Sequence, residues 1–432
     1  MPVYSKPANL VNDVLFEEFR TGVRIPPPPY LTVGKANEMV SSIKNSFGSE
    51  NIKAAKDRQK KKKSEKTIEE KEMSDKKKQQ VESVPPYSDD DEFDFVDAYS
   101  DEPEAADEEL LPENTATSAI DCAFIGVGGG GGKLAKAFLD LGFNRTLLVN
   151  TTIKDQPDGI EEGNFLLIPG ADGVGKDVNL GRKILEENSA MVEDSVRARL
   201  GNPDWIFVLA GGGGGTGSAC SVLHESLQRN LTASGASGKV VYVISKPSSQ
   251  ELLNSTIARN YESALGELKE HPHIVLDNER QLQLLRNKVG MLNLYPTANK
   301  NFAKLLAQVF KLAETHSDIQ TFDTKDLEKC LSTPGRMMVG STMIKDTSRR
   351  DLGAAVLTSC VSSSPCPAPG GHASTGTLLL IASSEMAGDP KVSKNLEAAF
   401  SYVGGRTDTL FSGVYIKDRV PGLVAICVLA GC

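Results

Sequence analysis

The chain has 432 residues, enough for two or three domains, and a net charge of −9. Residues 1–118 hold 17 Lys+Arg against 25 Asp+Glu and the remainder holds 31 against 32, so the acid excess sits in the first third. No run approaches the ~18 apolar residues of a spanning helix. No basic head with an apolar core opens the chain, and seven scattered cysteines without a CxxC pair fit reduced thiols. These features argue against a membrane-spanning or disulfide-framed protein and lead us to expect a cytoplasmic one.

In chain order, Leu10, Val11, Val14, Leu15, Phe16 and Phe19 can share one face of a short helix, which the proline run at 26–29 would stop. Residues 53–78 carry 12 bases and 6 acids, and residues 89–113 carry 13 acids and no base. Such blocks cannot bury enough apolar surface to offset chain entropy, so 1–118 reads as a charged, mostly disordered extension. Its first helix is either a docking peptide for an adaptor or cargo protein or a loose terminal segment. The basic block has the charge to meet nucleic acid or a membrane surface. We expect a solvated tether instead, and no direct nucleic-acid binding.

From residue 119 the texture changes. "CAFIGV", "TLLVNT", "FLLIPG", "WIFVLA", "VVYVIS" and "HIVLD" are short apolar runs. Helical spacing separates them in "KLAKAFLDLG", "LGRKILEENSAMVEDSVRARL" and "SVLHESLQRNL". Alternating strand and helix predicts an α/β fold with a doubly wound, mostly parallel sheet over 119–298. Continuous apolar strands are those covered on both faces. "TANKNFAKLLAQVFKLAETH" predicts one long helix, placed at 299–320 as a connector. Residues 321–432 predict a smaller α/β unit with a mixed sheet.

Two five-residue glycine runs, Gly128–Gly132 and Gly211–Gly215, each follow a strand and precede a helix. Bare glycines let backbone N–H groups converge on an anion, and a helix start adds partial positive charge. A polyphosphate is the natural ligand, held from two sides. A Walker A loop ending at Lys133 fails, because Val127 stands where it needs glycine and Leu134 where it needs Ser/Thr. A dinucleotide fingerprint is met by Gly126, Gly128 and Gly131, but the second strand ends in Asn150 rather than a ribose-binding acid.

A third pattern is more extensive. "GGGTGSA" at 213–219 resembles the tubulin/FtsZ signature, and "FIGVGGGGGK", "VNTT", "GADGVGKDVNLGRK", "ISKPSSQE", "LDNERQL" and "YPTAN" resemble further FtsZ nucleotide loops in the family's order. "GRMMVGS", "TGTLLLIAS" and "FSGVYIKDRVPGLVAICVLAG" resemble its C-terminal domain, so the likeness covers residues 120–432. It implies a GTP site built by Gly128, Gly129, Gly130, Gly131, Gly132, Lys133, Asn150, Gly173, Gly175, Gly213, Gly214, Gly215, Thr216, Gly217, Ser218, Glu251, Asn278, Tyr295 and Asn299. Glu251 falls at the ribose position, and Asn278 and Asn299 at base-reading positions. Tyr295 falls at the base-stacking position. Taken singly, Tyr295 reads as a core or rim aromatic and Asn278 as a turn residue.

After the long helix comes "TFDTKD". By itself, Asp323 reads as a helix N-cap and Asp326 as a first-turn acid. The resemblance implies instead that Asp323 and Asp326 enter the nucleotide site of the next subunit. There they would polarise the attacking water and help order a cation, with Mg2+ as the expected ion beside GTP. Thr321 stands where the family has asparagine. Lys133, Ser255, Ala219 and Lys176–Asp177 are further departures. The implied function is an assembly-dependent GTPase polymerising head to tail into filaments. Cell division and positioning of DNA or viral cargo are the implied roles, the extension at 1–118 serving where FtsZ of division carries a C-terminal peptide. The alternative is a nucleotide-binding switch of the same fold that barely polymerises. An NAD-type enzyme is disfavoured.

Overall fold

The computed structural model describes residues 118–286, 288–418 and 420–432. The apolar stretch at 10–19 and the basic and acidic blocks lie outside these residues.

The apolar runs become strands, in the order expected. β1 (Cys122–Val127) leads into helix α1 (Gly128–Asp140), followed by β2 (Thr146–Asn150) and a three-residue β3 (Phe165–Leu167). Helices α2 (Val178–Glu187) and α3 (Ser189–Leu200) precede β4 (Trp205–Gly211), and α4 (His224–Ala233) precedes β5 (Val240–Lys246). Then come α5 (Ser255–Leu268), β6 (Pro272–Asp277) and α6 (Asn278–Leu284). The chain continues with the long α7 (Leu294–Glu314), α8 (Thr324–Leu331), β7 (Gly335–Ile344) and α9 (Leu352–Ser363). It closes with β8 (Ala373–Ala382), α10 (Pro390–Gly404), β9 (Thr407–Ile416) and β10 (Leu423–Ala430).

The ten strands form one sheet in the order β3-β2-β1-β4-β5-β6-β7-β10-β8-β9. β1 to β6 pair in parallel, while β10 pairs antiparallel with both β7 and β8, so the parallel half gives way to a mixed one. A short parallel ladder joins the halves, with Pro272, His273 and Ile274 opposite Gly335, Arg336 and Met337.

Alternation along the strands builds two faces. Phe124, Phe207, Leu209, Val241 and Val243 belong to one core with α1 and α7. Ile125, Val208, Ala210, Tyr242 and Ile244 belong to another with α2, α3, α4 and α5. A third core packs α9 and α10 on Met338, Leu378, Leu380 and Ala425. Burial on both faces explains why these strands read as unbroken apolar runs.

Two segments differ from the sequence expectation. The stretch at 180–200 is two helices, because Asn188 leaves helical geometry (φ −113°, ψ 13°) and its side-chain amide donates to Ile184 O at 2.8 Å. The long helix begins at Leu294 and ends at Glu314, so residues 315–320, expected as helix, are loop. Pro296 sits in its first turn, where a missing N–H costs no intrahelical bond. Tyr295 and Asn299 therefore stand on this helix.

Candidate functional site

The strands β1, β2, β4, β5 and β6 all run the same way, so the loops that follow them collect along one edge of the sheet. That carboxyl edge is where open parallel sheets bind ligands.

The first glycine run starts a helix at once. Gly128 has φ +72°, and a Cβ there would stand 3.0 Å from Gly217 N. A Cβ on Gly131 would collide with the Leu209 carbonyl, and one on Gly217 would lie 2.6 Å from Gly211 O. The two runs are therefore interlocked backbone to backbone. Not all of the glycines serve this packing. Gly130 and Gly214 are exposed, and a Cβ on Gly214 would meet nothing within 4 Å. A Cβ on Gly130 would still stand 3.3 Å from Gly211 Cα, so of these two it is Gly214 that stays bare toward solvent.

Neighbouring loops are tied to this pair. Thr151 Oγ1 lies 3.2 Å from Thr216 Oγ1, and Gly173 N donates to Thr151 O at 2.9 Å. Gly215 N donates to Gly175 O at 3.2 Å. The buried Asn260 amide donates to Lys176 O at 2.9 Å and to Gly213 O at 3.3 Å. Asp177 caps α2 by accepting from Leu180 N. Lys154, held by Asp172 at 2.5 Å, keeps the Asp172 carboxyl below its usual range, with Thr152 assisting. The third loop is thus fastened to the signature loop, with Lys176 at the mouth of a cleft it shares with Arg182 and Arg259.

Other expected residues have quieter surroundings. Asn150 is buried, and its Oδ1 accepts from Thr151 N at 2.8 Å. Lys133 is exposed in the second turn of α1, and Ser255 opens α5 behind the cap Asn254. Glu251 Oε2 accepts from Ser248 N and Ser248 Oγ, both at 2.8 Å. Tyr295 is 41% exposed, and its phenol is pushed up by burial first, then by the charges of Glu251 and Glu279. Glu279 itself accepts from Ser249 N at 3.0 Å. Glu251, Tyr295 and the start of α6 with Asn278 therefore share one neighbourhood. Asn299 stands one helical turn beyond Tyr295.

Asp323 and Asp326 do not join them. Asp323 is the N-cap of α8, and the two residues form a capping box: Asp326 N donates to Asp323 Oδ1 at 3.0 Å and Asp323 N to Asp326 Oδ2 at 3.4 Å. Burial, then the Asp323 charge, raise the Asp326 carboxyl, against the opposing backbone hydrogen bond. The Thr321 hydroxyl donates to Ser317 O and accepts from Ser317 N, both at 3.2 Å. Lys325, between the two acids, feels the charge of Asp204, which precedes β4. Lys239, which precedes β5, donates to Ser332 O at the far end of α8. The acids therefore lie at the amino edge of the sheet. At about 3.3 Å per residue, β4 carries the chain roughly 20 Å from that edge to the glycines. Within one chain, the sites are at opposite ends.

A phosphate ligand fits the glycine edge. The Ser218 hydroxyl is buried and unpartnered by the protein in the signature turn, and the exposed glycines leave their N–H groups approachable. Thr151, Asn260 and Glu279 escaped sequence reading. Thr151 had a signal in the first threonine of "NTT", whereas Asn260 is an ordinary helix position whose role depends on folding.

No family model matches the chain. It is 26% identical over 241 residues to the cell division protein FtsZ of Coxiella burnetii, covering 54% of this chain and 58% of that protein. It is 25% identical over 233 residues to FtsZ of Buchnera aphidicola, covering 50% and 55%. The chain thus spans little more than half the length of these curated relatives. Among solved structures it is similar to a GTPγS-form protofilament of TubZ from Bacillus thuringiensis serovar israelensis, with TM-score 0.60, 20% identity and coverage of 74% and 90%. A GTPγS-bound protofilament of CetZ2 from Haloferax volcanii gives 0.57, 21%, 72% and 93%, and an empty FtsZ dimer from M. jannaschii gives 0.55, 19%, 76% and 93%. The fold is the one these TubZ, CetZ2 and FtsZ structures share. The interlocked glycine runs lie at the carboxyl edge of the parallel half of the sheet. No described helix is long and apolar enough to cross a membrane.

Proposed function

We infer that the chain binds GTP at the glycine edge, assembles head to tail, and hydrolyses GTP at the junction between subunits. The observation that carries this reading is the separation just described. The phosphate cradle and Asp323/Asp326 occupy opposite edges of one sheet, so the acids can act on a nucleotide only in another copy. A contact that joins unlike faces does not close by symmetry and propagates as a filament. The protofilaments of TubZ and CetZ2 support the same geometry of assembly.

In this reading the bare glycine N–H groups, the Ser218 hydroxyl and the helix starts hold the phosphates. Tyr295, Asn278 and Asn299 receive the base, and Glu251 the ribose. Hydrolysis then needs an oriented water and neutralised charge rather than a covalent intermediate. No group of three or more His, Cys, Asp or Glu able to hold a metal exists among the described residues. Asp323 and Asp326 of the adjoining copy are the carboxylates that would meet an Mg2+ ion beside the nucleotide, which would supply charge neutralisation at the phosphates. Division, DNA positioning and viral-cargo positioning remain candidate roles, with the extension at 1–118 as tether.

Sedimentation with GTP, GDP or NAD(H), combined with phosphate release across protein concentrations, tests the reading. Pelleting with GTP and turnover per subunit that rises above a threshold concentration are expected. Turnover independent of concentration would sink the split site. A switch that barely polymerises is the second reading, favoured by Thr321, whose hydroxyl is already engaged with Ser317. It predicts GTP binding without pelleting.

A further inference from the structure

The loop that carries the two acids is anchored by one phenol. Tyr415, on β9, is 4% exposed. Its hydroxyl donates to Leu312 O at 2.8 Å, in the last turn of α7, and accepts from Phe322 N at 3.2 Å. Phe322 is fully buried and immediately precedes Asp323. One oxygen atom thus joins the end of the long helix to the residue before the cap of α8.

The rest of the loop is fixed to the same strand. Val414 N donates to Gln320 O at 2.8 Å, and Gln320 Nε2 donates to Ser412 Oγ at 2.7 Å. The Ser317 hydroxyl donates to Val414 O and accepts from Ile319 N and Gln320 N. These bonds bind the loop to β9, whereas the phenol also reaches α7. The other end of α7 carries Tyr295 and Asn299 in its first two turns. From Tyr295 to Leu312 the helix covers about 25 Å at 1.5 Å per residue.

We propose that Tyr415 is a positioning residue: its hydroxyl couples the axial position of α7 to the placement of Asp323 and Asp326. The inference rests on the GTPase reading above. It adds that a shift of α7 at its own nucleotide end is passed on to the acids offered to the next subunit. A buried acceptor–donor relay is suited to this task because its two bonds are short and directional. Small displacements at such a point have large kinetic effects, since misplacing reacting groups by about 1 Å can cost around 100-fold in rate.

The test is Tyr415→Phe in the full chain, which keeps the ring in the core and removes the oxygen. Hydrogen exchange reads the coupling directly, while GTP affinity, the assembly threshold and kcat separate positioning from folding. Amides at 317–323 should exchange at least about tenfold faster, with α10 unchanged. GTP affinity and threshold should stay within about twofold while kcat falls about tenfold or more. Unchanged exchange at 317–323 overturns the coupling. So does faster exchange with unchanged kcat, or a joint loss of affinity, threshold and kcat. If the unaltered chain neither pellets with GTP nor releases phosphate, the GTPase reading fails and the catalytic consequence with it. The exchange result then still reports whether the phenol holds the loop.

Discussion

The clearest separation of scaffold from ligand site compares two glycines three residues apart. A methyl on Gly214 meets nothing within 4 Å, and its backbone (φ −86°, ψ 172°) is open to any residue. Gly214→Ala should therefore leave stability unchanged or raise it by about 0.4–1 kcal/mol, through the lower entropy of the unfolded chain. The same methyl would project from the bare rim where phosphate oxygens must reach the backbone. Losing one such approach should cost at least about 1.4 kcal/mol, or tenfold in GTP affinity. Gly217→Ala should do the reverse. Its methyl would lie 2.6 Å from Gly211 O and 3.2 Å from Val127 O, both backbone atoms that cannot swing aside. Overpacking of that kind costs about 1–3 kcal/mol. Urea denaturation and titration of a fluorescent GTP analogue measure the two quantities. Wild-type affinity in stable Gly214→Ala would refute the assignment of the bare rim to a ligand.

Three further expectations follow from particular contacts. Asp323→Asn keeps a good N-cap while removing the charge, so GTP binding and pelleting should persist while phosphate release falls about tenfold or more; Asp323→Ala should in addition lose about 1 kcal/mol in denaturation. Asn260→Ala removes both bonds that hold Lys176 O and Gly213 O; it should cost about 1–3 kcal/mol and speed amide exchange at 173–177, and undisturbed exchange there would count against Asn260 as the fastener. Acid should also weaken the fold. His224 and His271 lie with ring centroids 4.0 Å apart, and His224 Nδ1 is 3.0 Å from Tyr242 Oη. Burial lowers both imidazoles, and His271 lowers His224 further. The unfolded chain then takes up protons first, so this contribution is complete above an unfolded pKa of about 6.5 and is lost as pH falls through the depressed folded values. Urea midpoints should drop between about pH 7 and about pH 5, and a midpoint that rises on acidification would contradict the assignment.

Much of this was legible because it depends on local pattern. Phe124, Ile125, Phe207 and Val208 alternate between two covered faces, and such strands leave a continuous apolar record. The strand–glycine–helix order at 122–140 and 205–218 is legible as a local pattern in both glycine runs. Asp323 was legible in both of its readings, and the cap is the one made within the chain. What stayed hidden depends on distance in sequence. The short ladder from Pro272 to Gly335 joins the halves of the sheet by three residue pairs, too few to mark either segment. Asn188 breaks a helix through a side-chain bond that periodicity does not register. The helix α7 starts at Leu294, ahead of the expected 299, with Pro296 in its first turn, where proline is tolerated. Tyr415 and Asn260 act through backbone atoms 47 to 103 residues away, which no spacing rule reaches.

The cap and the catalytic role of the acids are compatible on chemical grounds. Within the capping box Asp323 uses Oδ1 and Asp326 uses Oδ2 as acceptors, and each carboxylate has a second oxygen with further lone pairs. The box fixes the two groups relative to each other, so little conformational entropy is lost when a water or cation meets them. Burial of this helix start first, and then the like charge of Asp323, raise the Asp326 carboxyl against the backbone hydrogen bond of the box. A cation entering the junction relieves that repulsion and stabilises the charged form. In the proposed junction a cation would therefore satisfy the two acids better than the isolated subunit does.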